Sequence, residues 1–273
     1  MKRTNTEHGD ETVALANEIL RCEAGSGVHG IALEGTDDHD EMGVFIEPPS
    51  SVFGPREHRS YVWRSQPEGA RSGPGDTDLV MYSLRHYVEL VAKGNPSALV
   101  PLFAPNDRAI FLSPLGVALR RDLPALVLSK RAVWRCLGYM HGQRDRLTGV
   151  GPRRGMPKRP ELVEAHGFDT KYAGHAVRLA MQANELALHG RITLPMRASQ
   201  REEILAVRRG EVPLGAILVR LVHLECLVEL AMESTRLPDE PRTDELTRWV
   251  ADAHRRHWGW AGVDSRSRRV GAR

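Results

Sequence analysis

The spacing of apolar and polar residues divides the chain into a mixed first part and a helical second part. Val13, Leu15, Ala16, Ile19 and Leu20 recur at helical spacing and predict an amphipathic helix from about Glu11 to Arg21. A short strand-like piece then leads into a Gly-rich turn at Gly25-Ser26, and Gly43-Val44-Phe45-Ile46 reads as a buried strand. Ser60-Tyr61-Val62-Trp63 reads as another short strand. Residues 65–77, rich in Gly, Pro, Ser and charge, read as a mobile surface loop. Thr77 to Tyr82 alternates like a strand, and Ser83 suits the N-cap of a helix running to Lys93. Further helices are predicted at about 113–121, 130–147, 168–189, 199–208, 213–236 and 242–257. Leu218, Leu221, Val222, Cys226 and Leu230 repeat at helical spacing and read as a core stripe.

Acidic residues interrupt this pattern where a strand begins. Asp38 and Asp40 stand two residues apart, and side chains at i and i+2 of a strand point to one face. Two like charges aimed at one point are costly unless a cation lies between them. Mg²⁺ is the usual cation for paired carboxylates working with phosphates. Such a pair also fits a solvated strand entrance, so the spacing alone leaves both readings open. The turn at Gly25-Ser26 frees backbone amides to face a phosphate. Asp78 would share a strand face with Val80 and Tyr82, and an acid facing an apolar interior needs a partner.

Composition narrows the setting only a little. A net charge of +3 over 273 residues does not by itself demand a nucleic-acid partner. Cys22, Cys136 and Cys226 are far apart and show no zinc or disulfide spacing, which fits a reducing cytoplasm. No apolar run approaches the length of a membrane span. The stretch from Arg144 to Arg159 reads as a loop that gathers basic residues (Arg146, Arg153, Arg154 and Lys158 among them), and the tail gathers more, at Arg266, Arg268, Arg269 and Arg273. Both clusters fit a solvated surface or a nucleic-acid track. Trp258 and Trp260 read as packing residues.

The order Gly25-Ser26, then Asp38-His39-Asp40, then a buried strand resembles the DNA polymerase beta nucleotidyltransferase superfamily, with Asp78 as its third carboxylate. Asp78-Leu79-Val80-Met81-Tyr82-Ser83-Leu84-Arg85, followed by Gly94-Asn95-Pro96-Ser97-Ala98-Leu99, is similar to the predicted nucleotidyltransferases that accompany RNA ligases in RNA-repair gene clusters. Related proteins are frequent in bacteriophages. The similarity continues at Arg159-Pro160-Glu161-Leu162-Val163, at Gly167 to Leu179, at Gly190 to Pro195 and at Arg201 to Leu205. Relatives often carry a Glu where this chain has Val100 or Pro101, and larger or basic residues at Gly27 and His29.

The resemblance implies an α/β nucleotidyltransferase domain at 1–110, a small mixed sheet with flanking helices. A mostly α-helical domain at 111–258 would close the cleft, and a basic, disordered tail would cover 259–273. It implies that Asp38, Asp40 and Asp78 hold two Mg²⁺ ions, with Mn²⁺ as a substitute. Gly25, Ser26 and His29 would contact the nucleotide, together with Lys171 and Arg178 of one helix face. That face, with His175 between them, also fits a plain solvated stripe. The implied reaction moves a nucleoside monophosphate from an NTP, ATP among the candidates, to an RNA end, tRNA included, and releases pyrophosphate. Two other readings stay open: a toxin-like or modifying enzyme acting on a protein or small molecule, and a non-catalytic nucleotide- or RNA-binding relative.

Overall fold

The computed structural model describes residues 5–35, 37–152 and 159–260. Arg153, Arg154 and Lys158, and the Arg-rich tail beyond 260, lie outside the described residues. The chain opens with β1 (Thr6–His8) and α1 (Glu11–Ala16), capped by the Asp10 side chain on the Val13 amide at 3.0 Å. The helix expected to reach Arg21 ends here. Asn17 turns its side-chain amide back onto the Val13 carbonyl at 2.8 Å, and the next residues form β2 (Glu18–Glu23). A one-turn helix α2 (Gly25–His29), β3 (His39–Phe45), a short α3 (Pro49–Phe53), β4 (Ser60–Arg64) and β5 (Thr77–Ser83) follow. Ser83 caps α4 (Leu84–Ala92), as its hydroxyl accepts the His86 amide, and Asn95 caps α5 (Pro96–Phe103). After β6 (Ala109–Leu112) the described chain is helical. It forms α6 (Pro114–Val127), α7 (Lys130–Thr148), α8 (Pro160–His166), α9 (Thr170–His189), α10 (Ala198–Arg208), α11 (Leu214–Ser234) and α12 (Thr243–His257).

The six strands make one mixed sheet in the order β1-β4-β5-β3-β2-β6. Only β3 and β5 pair in parallel; the other neighbours are antiparallel. β2 lies between β3 and β6, with Ile19, Leu20 and Cys22 fully buried. That pairing outweighs the helical spacing of the same residues, because strand preference is set by cross-strand neighbours and burial.

The two sheet faces differ. Leu79 and Met81 of β5 meet Phe45, Tyr61 and Ala14 in a small apolar cluster beneath α1. The opposite face carries the main core, which joins Ile19, Leu20 and Val44 to Leu99, Leu119, Val133, Val177 and Leu221 of the helices. This core runs across position 110, and the boundary expected there falls inside β6. Asp78 does share its face with Val80 and Tyr82, but all three are only half-buried. The expected apolar interior around Asp78 is therefore corrected: the fully buried positions of β5 lie on the other face.

Two further expectations change. Arg144 and Arg146 belong to α7 rather than to a loop, and Arg144 pairs with Glu225 at 3.3 Å. On α11, Leu221 is buried, but Val222, Cys226 and Leu230 of the expected core stripe are exposed. Ile217, Leu221, Leu224, Val228 and Ala231 form the inward face. A helix apolar on two sides does not reveal from periodicity which side is inward.

The last helix is fastened to the sheet through one buried acid. Glu47 accepts hydrogen bonds from Arg85 Nε at 2.8 Å and His254 Nε2 at 3.1 Å, and its carbonyl accepts Trp258 Nε1–H at 3.0 Å. Trp258 and Trp260 pack against Phe53, with ring centroids 6.0 and 6.2 Å away. Burial alone would raise the Glu47 pKa, but the His254 and Arg85 hydrogen bonds pull it down to about 2 from 4.5. A depressed carboxylate stabilises the fold above its unfolded pKa and loses that contribution as pH falls through the folded value. Glu47→Gln should therefore cost about 3 kcal/mol at neutral pH. Urea midpoints should fall for the parent between about pH 4.5 and 2, with a flatter profile for the variant across that window. Equal midpoints at pH 7 would remove Glu47 as the anchor.

Candidate active site

The parallel pairing of β3 and β5 sets Asp40 directly beside Asp78 in register. Asp38, two residues before Asp40, turns to the same side. One carboxylate oxygen from each of Asp38, Asp40 and Asp78 lies within 4.8 Å of the other two. Burial first, then the charges of Asp38 and Asp78, push the Asp40 carboxyl up to about 6; Lys171 and His39 offset this only in part. An all-oxygen cluster of this kind fits a hard divalent cation. Asp78 is oriented by residues 65–77, expected to be mobile. Gln66 Nε2 donates to Asp78 Oδ1 at 2.8 Å, Ser72 Oγ donates to Oδ2 at 2.7 Å, and Arg64 Nε stands 3.8 Å from Oδ2. The same segment reaches α8 through Arg71 and Glu161 at 3.0 Å.

Gly25 is fixed by a close approach. The Ala24 amide donates to the Asp40 carbonyl at 2.8 Å, and Gly25 follows with φ +59°. A Cβ there would stand 1.8 Å from Asp40 Oδ2. Only glycine lets the backbone pass the carboxylate in that conformation. The segment is α2 rather than an open turn, and the first amides of any helix have no acceptor within it. Ser26 lines the cleft beside Gly25.

Across the cleft stands α9. Lys171 Nζ lies 3.3 Å from Asp37 Oδ1 and 4.0 Å from Asp38 Oδ1. Arg178 is buried, and its partners among the described residues are all neutral. It donates to His29 Nε2 at 2.8 Å, to Gln182 Oε1 at 2.9 Å and to His175 Nε2 at 2.8 Å. His29 Nδ1 completes the chain to the Gly25 carbonyl at 2.5 Å. Burial and the adjacent guanidinium hold both imidazoles well below the usual histidine range. Burial also draws Arg178 down to about 10. The expected contact of His29 with nucleotide meets a different placement. The ring is buried behind the cleft, with both nitrogens engaged.

Sequence reasoning missed Asp37 and Arg208. Arg208 is buried and donates to both Asp37 oxygens at 2.8 Å and to the Ile31 carbonyl. Its stem crosses α9 at Gly174, where a Cβ would stand 2.6 Å from Arg208 Cγ. Burial opposes ionisation of Asp37, but the Arg208 and Leu33 hydrogen bonds and the Arg208 and Lys171 charges outweigh it and lower its pKa. The only local sign of Asp37 was its place beside the Asp38-x-Asp40 pair. Arg208 sits 171 residues from Asp37, out of reach of any local pattern.

These side chains line two adjoining cavities. The smaller, about 190 Å³, is bounded by Gly25, Ser26, Asp38, Asp40, Lys171, His175, Arg178 and Arg208. The larger, about 570 Å³, lies on the Asp78 side, with Arg64, Arg71, Ser72 and Arg159 in its wall; Asp38, Lys171 and Arg208 border both. Glycine cradle, acid triad and opposing cations thus meet in one cleft. A model of RlaP, the RNA repair pathway DNA polymerase beta family, matches residues 3–252. The chain belongs to this family. No curated protein and no solved structure matches the chain. Membership in the RlaP family points to a polymerase-beta-type nucleotidyltransferase associated with RNA repair, and the acid triad is in place. No helix among the described residues is long and apolar enough to cross a membrane.

The raised Asp40 pKa gives this RlaP site a measurable signature. Between the ordinary 3.8 and about 6, folded Asp40 holds a proton that the unfolded chain releases, so stability falls as pH rises through that window. With EDTA present, Asp40→Asn should therefore be more stable than the parent by up to about 2 kcal/mol at pH 7.5 and no more stable at pH 4. Denaturant titrations at the two pH values check this. A variant less stable at pH 7.5 would show that the three carboxylates do not repel.

Proposed function

We propose that this RlaP-family chain transfers a nucleoside monophosphate from an NTP to an RNA end and releases pyrophosphate. The observation that carries the reading is the buried Arg178. A guanidinium out of water with only neutral partners keeps its charge available for an anion. It faces the same small cavity as Asp38, Asp40 and the Gly25-Ser26 turn. Two Mg²⁺ ions held by Asp38, Asp40 and Asp78, with Mn²⁺ as a substitute, would neutralise charge on the phosphates and ease loss of the acceptor proton.

The chain's own residues do the rest. Gly25 and Ser26 offer backbone amides to the β and γ phosphates, and Lys171 and Arg178 bind the pyrophosphate as it leaves. His29 and His175 orient Arg178. The acceptor hydroxyl enters from the larger cavity, where Arg64, Arg71 and Arg159 meet its phosphates. Its oxygen bonds to the α-phosphorus, the bond to pyrophosphate breaks, and Asp78 takes the hydroxyl proton. Gln66 and Ser72 hold Asp78 in place, and each carboxylate oxygen keeps a lone pair for this task. The sheet-bearing residues 1–110 and the helices of 111–258 act as the two walls of this cleft.

Incubation with each α-labelled NTP, Mg²⁺ and separate pools of RNA, protein and small molecules tests the acceptor. Label should enter RNA, and Asp38→Ala, Asp40→Ala or Asp78→Ala should each lower transfer by roughly 10³-fold or more, since several kcal/mol of charge stabilisation is lost. Label in protein or small molecules instead would move the assignment to a modifying enzyme. NTP binding without transfer to any pool would mark a binding protein.

Lys171 and Arg178 test the phosphate side. Lys171→Ala should raise KM for the NTP about tenfold and lower kcat, because the contact acts before and during transfer. Arg178→Lys should lower kcat more steeply, because it replaces a held fork with a single point charge. Unchanged NTP affinity and rate in both variants would return this helix face to a structural role.

A further inference from the structure

The helix α11 is apolar on two sides. Ile217, Leu221, Leu224, Val228 and Ala231 pack inward. On the outer side Val219, Val222 and Leu230 are 71%, 54% and 62% exposed, and Cys226 is exposed among them. Their spacings of three, four and four residues set them in one stripe. A surface helix ordinarily turns polar residues outward, and a continuous apolar stripe on its outer side marks a face for a partner. No residue of α11 lines the two cleft cavities, so the stripe has no part in the site described above.

We propose that this stripe pairs with the same stripe of a second copy, the two α11 helices running antiparallel about a two-fold axis. Charge favours this occupant and this direction. The stripe runs C-terminally into Glu229 and Glu233, both exposed. A parallel pair would set Glu233 of one copy against Glu233 of the other, a like-charge contact. The antiparallel pair sets each acidic end beside the first turn of the other α11, Leu214-Gly215-Ala216. There the positive end of the helix dipole favours a carboxylate, and two small residues permit close approach. Val219 then lies near Leu230 of the second copy, and Val222 and Cys226 form the apolar middle.

Area sets the strength. A helix of 21 residues is about 32 Å long. A stripe about 10 Å wide along it covers about 300 Å² per copy, on the order of 600 Å² in all, well under the roughly 1,200 Å² of a standard stable interface. The dimer is therefore weak and reversible, with Kd in the micromolar range or above.

Sedimentation equilibrium of the full chain from about 1 to 300 µM tests this, the range being matched to a weak interface. The mass should climb from one copy toward two. Val222→Glu and Leu230→Glu should hold it at one copy. Because both side chains are exposed, circular dichroism and Tm should stay those of the parent, as should transfer activity per chain at low concentration. Orientation is read in a Cys226→Ser background, where Cys22 and Cys136 are buried and silent. Ala216→Cys and Glu233→Cys chains, mixed, should link to one another through a short bis-maleimide. One-copy mass across the whole range would overturn the proposal, as would a dimer indifferent to Val222→Glu and Leu230→Glu. Linking of each cysteine variant only to its own kind would overturn the antiparallel arrangement.

Discussion

Asp38, Asp40 and Asp78 repel one another across less than 5 Å, and the surrounding structure is arranged to tolerate that repulsion. The parallel pairing of β3 with β5 creates the problem, because it sets Asp40 beside Asp78 in register. It also supplies part of the answer. Two parallel strands begin at the same end of the sheet, so the segments that lead into them converge there. The segment before β3 brings Asp37, which holds Lys171 and Arg208 close to the triad. The segment before β5 brings Gln66 and Ser72 to the Asp78 oxygens. Gly25, on the neighbouring β2 exit, keeps a Cβ out of the space that the Asp40 carboxylate fills. What stays unbalanced is the raised Asp40, and a site that keeps such a group is poised for a cation.

The opposite wall solves the inverse problem. A buried guanidinium usually takes a carboxylate partner. Arg178 takes two imidazole nitrogens and an amide oxygen instead. A carboxylate would neutralise it before any ligand arrived, whereas neutral acceptors satisfy its N–H groups and leave the charge in place. The His29 ring makes this arrangement more than local. It joins Arg178 on α9 to the Gly25 carbonyl on the sheet side, so one hydrogen-bonded chain registers both walls of the cleft.

The sequence showed what depends on local spacing. Asp38 and Asp40 were legible from the i, i+2 rule, Asp78 from its strand, Ser83 as a cap and most later helices from periodicity. Features set by distant partners were not legible. The stretch from Glu18 to Arg21 carries helical spacing yet becomes part of a strand, because β3 and β6 claim its two edges. Arg208 reaches Asp37 across the fold, and its passage depends on the missing side chain of Gly174. Val222, Cys226 and Leu230 of α11 looked like core because periodicity records that a face is apolar and says nothing of what covers it. His29 was expected to contact the nucleotide, and its burial followed only from the position of α9.

On the proposed reading, the two cavities also give the reaction a direction. In-line transfer needs the entering oxygen and the leaving group on opposite sides of the phosphorus. Asp38 borders both cavities, and carboxylate oxygens of Asp40 and Asp78 lie within 4.8 Å of it. On the α9 side the cavity is small, and its guanidinium without a carboxylate partner among the described residues, Arg178, is fixed by the two histidines. Such rigid positive charge suits a pyrophosphate whose geometry is the same for every NTP. On the Asp78 side the cavity is about three times as large, and its wall carries two exposed cations, Arg64 beside Asp78 and Arg71 beside Glu161. A wide chamber with movable cations suits a partner of varied shape. The fold therefore holds the invariant half of the reaction tightly and the variable half loosely, and this asymmetry follows from where α9 and the segment before β5 meet the same three acids.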